Sequence, residues 1–119
     1  MSDVLSPCYY LAPEFHPSKG KACPVIDPAT LGEVAQRGEV TAGELTHVLT
    51  RVNAAQKQWA KLDAKSRAAR LHRLANRIEN TDMTECAILM SREMGKPYPE
   101  AIGEVANCAP IFRYYAEMA

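Results

Sequence analysis

The stretch Arg92-Glu93-Met94-Gly95-Lys96-Pro97 decides how the carboxyl half of the chain reads, because it ends one helix and launches another within a few residues. Gly95 can adopt the left-handed backbone conformation that closes a helix. Lys96 stands where the last helical carbonyls favour a cation, and Pro97 has no N–H with which to continue. Upstream, Asp82 and Glu85 make a box-like helix start, and Met83, Cys86, Ala87, Met90 and Met94 supply an apolar stripe. Downstream, the next helix opens around Pro99 and Glu100 and carries Ala101, Ile102, Val105, Ala109, Phe112, Tyr115 and Ala116, with Pro110 expected to bend it.

Working further toward the amino terminus, two more helices are predicted. Thr41 and Glu44 form a capping box, after which Leu45, Val48, Leu49, Val52, Ala55 and Trp59 share one face. Asp63 caps a second helix whose stripe is Ala64, Ala68, Leu71, Leu74, Ala75 and Ile78. Before these, Val25 to Ala35 reads as strand, turn and strand, with Pro28 fixing the turn and Gly32 supplying a positive φ. Residues 1–24 carry Pro7, Pro13, Pro17 and Pro24, so an irregular leader is expected there. The fold class is therefore mainly α: a hairpin over 25–35, then amphipathic helices over about 42–60, 64–80, 83–94 and 98–118.

Composition narrows the function. The chain has 119 residues, 47% of them hydrophobic and 24% charged, which fits a globular domain. Fourteen basic residues balance fourteen acidic ones, so neither a polyanion nor an anionic membrane is an expected partner. No apolar run approaches the roughly 18 residues that span a bilayer. The first ten residues lack the basic start and apolar stretch of a secretory signal, so a cytoplasmic location with reduced thiols is expected.

The four cysteines, Cys8, Cys23, Cys86 and Cys108, stand far apart without histidines at ligand spacing, which argues against zinc. Cys86 falls on an apolar stripe and reads as a small buried hydrophobe. The glycine positions exclude both the Gly-x-Gly-x-x-Gly turn and the phosphate loop, leaving no phosphate cradle in the sequence. Arg67, Arg70, Arg73 and Arg77, with Lys65 and His72, make one helix basic. Without interleaved aromatics, an exposed or intramolecularly paired face opposite the leucines is expected rather than a nucleic-acid site. Glu93, Glu100 and Glu104 could suggest acid–base chemistry, but the first turns of a helix favour acids on dipole grounds alone. His16, His47 and His72 lack nucleophilic partners in the sequence, and His47 and His72 read as edge-of-core residues.

Taken in order, these segments resemble the aldehyde dehydrogenase superfamily. Val25-Ile26-Asp27-Pro28-Ala29-Thr30-Leu31-Gly32-Glu33-Val34 resembles that family's "NPATGE" hairpin, with Asp27 in place of Asn and Leu31 inserted before the glycine. Ala54, Ala55 and Trp59 match an "A-x-x-A-F-x-x-W" helix, and Arg67 to Ile78 matches "R-A-x-x-L-x-x-L-A-x-x-I". Glu93 to Pro97, Glu100-Ala101, Glu104-Val105 and Tyr114-Tyr115-Ala116 complete the series. The spelling from Arg92 to Pro97 is most similar to the succinate-semialdehyde dehydrogenase-like branch.

The resemblance implies that residues 25–119 are an incomplete amino-terminal part of the α/β cofactor-binding domain, forming outer helices and edge strands. It implies an NAD- or NADP-dependent parent enzyme that oxidises a small aldehyde to its acid by thiolate attack and hydride transfer. None of the four cysteines matches the family's nucleophile motif, so no catalytic, cofactor-binding or metal-binding residue is assigned, and neither NAD nor NADP is expected to bind this chain alone. By the same resemblance Cys108 would line the substrate tunnel. A different class of function is a stand-alone, non-catalytic helical module that pairs with a partner such as a full-length relative. Either way, four apolar stripes short of cover imply an exposed greasy flank and either self-association or loose folding.

Overall fold

The computed structural model describes residues 8–119, which divide into two compact units, 8–56 and 57–119. Pro7 and the first residues of the expected leader lie outside this range. The first unit holds two antiparallel hairpins and most of the first helix. Strands β1 (Cys8–Leu11) and β2 (Glu14–Pro17) pair with Tyr10 opposite Phe15 and Leu11 opposite Glu14. The Tyr10 and Phe15 rings lie 5.0 Å apart, a cross-strand aromatic pair. Arg51 reaches back from the helix to donate from Nη2 to the Ala12 carbonyl at 3.0 Å.

The expectation of an irregular leader over 1–24 is corrected here. Its prolines do not forbid pairing, because each strand of a two-stranded ribbon is an edge. There a residue without an N–H can face outward. Pro13 falls in the turn, Pro17 ends β2, and Pro24 lies inside β3 (Ala22–Ile26). The second hairpin is correspondingly longer than 25–35, with β3 paired to β4 (Glu33–Gly38) from Ala22 opposite Gly38 to Ile26 opposite Glu33.

An irregularity between Val25 and Ile26 leads into a turn built on Asp27. Its Oδ1 accepts the amides of Ala29 at 2.8 Å and Thr30 at 3.2 Å, and its carbonyl accepts that of Leu31 at 2.8 Å. The positive φ of this turn falls on Leu31 at 59°, not on Gly32 as expected from sequence. The additional residue occupies the left-handed position itself, leaving Gly32 to close the loop from its carbonyl to the Asp27 amide at 2.9 Å. Gly20 is required for a different reason. A Cβ there would sit 2.1 Å from the Glu39 carbonyl oxygen, against backbone that cannot swing aside.

Helix α1 (Ala42–Ala60) starts at the expected capping box. Glu44 Oε2 accepts the Thr41 amide at 2.9 Å and its hydroxyl at 2.7 Å, while the Glu44 amide donates to Thr41 Oγ1 at 3.3 Å. Glu44 Oε1 also takes the Lys19 amide at 2.9 Å, so the box ties the helix start to the segment between the hairpins. The stripe that follows is not covered: Leu45, Leu49 and Val52 are about half exposed. His47 is exposed rather than at a core edge.

The second unit contains the end of α1 and the helices α2 (Ala64–Glu79), α3 (Thr84–Met94) and α4 (Tyr98–Glu117). Asp63 caps α2 by accepting the Ser66 amide at 2.7 Å, and Arg67 Nη1 donates to the Leu62 carbonyl at 2.6 Å. Asp82 accepts the Thr84 amide at 3.0 Å from one position before the N-cap Met83, so the expected reciprocal box with Glu85 does not form. At the other end Gly95 closes α3 with φ 71°, its amide donating to the Ser91 carbonyl at 2.8 Å. Pro97 is the N-cap of α4, and that helix runs on through Pro110.

Alanine dominates the core of this unit. Ala87 of α3 packs with Ala101 and Val105 of α4, fringed by Met83, Met90 and Ile102, while Ala75 of α2 and Ala109 and Ala116 of α4 are also buried. No large side chain is fully buried among the described residues. Cys86 is exposed, correcting its reading as a core residue. The inward position on that turn belongs to its neighbour Ala87, which is fully buried.

Two outcomes test this account. Leu31→Gly should raise the melting temperature, since relieving a left-handed Leu is worth about 1 kcal/mol and the 78% exposed side chain gives up little packing. Ala101→Leu should lower stability by about 1–3 kcal/mol through overpacking; a neutral result in denaturant titration would refute the close alanine contact.

Candidate functional site

The polar chemistry of the second unit gathers along the contact between α2 and α4. Arg113 of α4 grips the end of α2: Nε donates to Glu79 Oε1 at 3.2 Å, and Nη2 donates to Asn76 Oδ1 at 2.8 Å and to Glu79 Oε2. A turn further along α4, Glu117 lies 3.1 Å from His72 Nε2. These pairs place the two helices antiparallel, because higher numbers on α4 meet lower numbers on α2. The guanidinium fork matches a carboxylate with two parallel bonds, which fixes orientation as well as charge. Its hydrogen bonds hold the Glu79 carboxyl below the usual range, and Glu79 in turn raises Arg113. Sequence reading missed this clasp, since thirty-four positions separate the partners and nothing in either helix alone signals the pairing.

The residues singled out from sequence are dispersed. Cys108 lies exposed on α4, its Sγ directed at the Glu104 carbonyl 3.6 Å away in its own helix. Glu104 is paired with Lys96 of the turn between α3 and α4, so it completes the Gly95 junction. Ser91 Oγ adds to that junction by donating to the Lys96 carbonyl at 2.6 Å. Glu93 and Glu100 are exposed, and no group of three or more His, Cys, Asp or Glu side chains able to hold a metal occurs among the described residues. No helix among them is long and apolar enough to cross a membrane.

Two hollows mark the surface of this unit. One, of about 320 Å³, lies where α2 ends and α3 begins, walled by Ile78, Asp82, Met83, Ile102, Val105 and Ala106. Pro110 has no N–H to offer the Ala106 carbonyl four residues back, so this wall carries a backbone acceptor without its helical donor. The other, of about 490 Å³, is lined by Trp59 with Arg70, Leu71, Arg73, Leu74 and Arg77. The arginines therefore do not stand opposite all the leucines: Leu74 lies four residues after Arg70 and three before Arg77, on their own edge of the helix.

Gly43 and Gly103 lie within helices, Gly38 ends β4, Gly20 and Gly32 serve strand connections, and Gly95 closes α3. The second unit offers helix packing, a bidentate clasp and surface hollows, while in the first unit Cys23 Sγ lies 3.8 Å from Glu39 Oε1.

The aldehyde dehydrogenase family model matches residues 15–119, and the chain belongs to that family. It is 36% identical over 100 residues to the alpha-ketoglutaric semialdehyde dehydrogenase of Bacillus subtilis (strain 168), covering 82% of this chain and 20% of the relative. It is 34% identical over 115 residues to a probable NADP(+) succinate-semialdehyde dehydrogenase of Sinorhizobium fredii, covering 92% of this chain and 23% of that one. Among solved structures, a 3,6-anhydro-L-galactose dehydrogenase in complex with NAP superposes with a TM-score of 0.81 at 28% identity, over 94% of this chain and 23% of its own. The chain thus spans about a fifth of the length of the curated relatives it matches.

Acid should weaken the structure in a defined direction. Glu44, Asp63, Glu79 and Asp82 are all held below their ordinary range, chiefly by hydrogen bonds from Thr41, Ser66, Arg113 and Thr84 respectively. Carboxyls depressed on folding contribute stability above their unfolded pKa, and that contribution is lost as pH falls through the folded one. Thermal melts should therefore drop on acidification below the normal carboxyl range. Glu79→Gln should shrink the drop; an unchanged acid limb in that variant would count against the clasp.

Proposed function

We propose that this chain is the amino-terminal helical shell of an NAD(P)-dependent aldehyde dehydrogenase that converts a small aldehyde, with succinate semialdehyde the leading candidate, to its acid. The observation that carries this reading is the contrast between an alanine core and a large uncovered apolar surface. Ile88, Leu89, Met94, Ile111, Tyr114, Tyr115 and Met118 are exposed in the second unit, as are Leu45, Leu49 and Val52 on α1. Amphipathic helices that bury mostly alanines on one side have apolar surface left for another layer to cover. In this reading the reacting cysteine, the general base and the nucleotide site belong to other polypeptide, and no chemical step is assigned to a side chain of this one. Cys108, exposed on α4, would border the aldehyde's path.

A chimera tests this. Residues 15–119 replace the matched segment of the Sinorhizobium fredii relative, and NADP+ reduction is followed with succinate semialdehyde. Retained turnover is expected, and Cys108→Phe in the chimera should raise KM several-fold with kcat largely kept. A soluble, folded chimera without turnover would refute the shell reading. If this chain instead binds the intact relative tightly without altering turnover, the non-catalytic module takes its place. The isolated chain should also bind an apolar dye and self-associate; a sharp monomeric melt without dye binding would contradict the exposed flank.

A further inference from the structure

The hollow beside Trp59 joins two features usually found apart. Its floor is apolar, made of the indole with Leu71 and Leu74, and its rim is a row of cations, Arg70, Arg73 and Arg77. Helix α2 carries five basic residues, Lys65, Arg67, Arg70, Arg73 and Arg77, against the single acid Glu79. That acid is already engaged by Arg113, and Arg67 is engaged by the Leu62 carbonyl. Among the described residues the guanidinium groups of Arg70, Arg73 and Arg77 take part in no ion pair or hydrogen bond. Three uncompensated guanidinium groups along roughly 10 Å of helix make a locally positive edge on a chain whose net charge is zero.

We propose that this groove is a docking surface for an acidic amphipathic helix of a partner protein. Carboxylates on successive turns of that helix pair with Arg70, Arg73 and Arg77, and its apolar side chains cover Trp59, Leu71 and Leu74. Charge complementarity selects the occupant. The rim repeats at intervals of three and four residues, the interval at which a second helix presents its own side chains. Arginine at such a rim binds carboxylates bidentately, and its planar head tolerates partial burial better than an ammonium. The apolar floor, with one ring and two leucines, favours a peptide over single-stranded nucleic acid, which is held by successive stacked aromatics. The surface involves no residue of dehydrogenase chemistry, so the inference stands or falls independently of the proposed enzyme.

Trp59 is the sole tryptophan of the sequence, so its emission reports the groove directly. The probe is a synthetic helical peptide of Ala, Leu and Glu, about 18 residues long so that it holds its helix, with three glutamates at alternating spacings of three and four beside a leucine stripe. Titrating the full chain should give a saturable blue shift that weakens as salt is raised. The variant Arg70→Gln/Arg73→Gln/Arg77→Gln should bind about tenfold more weakly, the sum expected of three exposed ion pairs. Lysine at the same positions should recover part of the loss, and circular dichroism must show each variant folded. Equal binding by a peptide with lysine for glutamate, or by the triple glutamine variant, would overturn the proposal in favour of unspecific apolar adhesion. Tighter binding of an oligothymidylate would overturn it in favour of nucleic acid, and absence of any emission change would overturn it outright.

Discussion

The second unit depends on how closely α4 can approach its neighbours, and alanine makes that approach possible. Ala101, Val105 and Ala109 recur every four residues along α4, and Ala116 extends the same side. Small side chains let the helix backbones draw near, and ridge-into-groove packing then sets the geometry more than bulk does. Buried alanine removes little apolar area, so the hydrophobic gain per residue is small. The Gly95 junction, which returns the chain from α3 into α4, and the Arg113–Glu79 clasp, which fixes α2 against α4, supply direction where the core supplies little grip.

Much of the helical architecture was legible in the sequence because its signals are local. The Thr41–Glu44 box, the Asp63 cap and the Gly95 closure each act within a turn or two, and the structure shows the hydrogen bonds that those residue types predict. The missed elements depend on partners. Proline in residues 13–24 argued against strands, yet two-stranded ribbons have only edges, so the argument had no force there. Cys86 and Ala87 differ by one position, and helical periodicity alone could not say which would face inward. The positive φ passed from Gly32 to Leu31 because the turn is organised by nearby amides converging on Asp27, a local hydrogen-bond pattern that overrode intrinsic preference.

Functional residues were harder to read for a related reason. The family resemblance was carried by capping and packing residues in a fixed order. That explains why the family could be recognised while Cys108, Glu100 and Glu104 come to no shared catalytic arrangement. Membership of the aldehyde dehydrogenase family describes what this segment is built from, and the groove at Trp59 is framed by the arginines placed along α2.

Pro110 gives α4 a property that its unbroken course conceals. With one rung missing from the ladder of main-chain bonds, the amino-terminal half, anchored by Ala101 and Val105, is joined only loosely in cooperative terms to the carboxyl-terminal half that bears Arg113 and Glu117. Amide protons on the two sides should therefore exchange with solvent at separate rates, and the clasp could be released by fraying a few residues without unravelling the turns that hold α3.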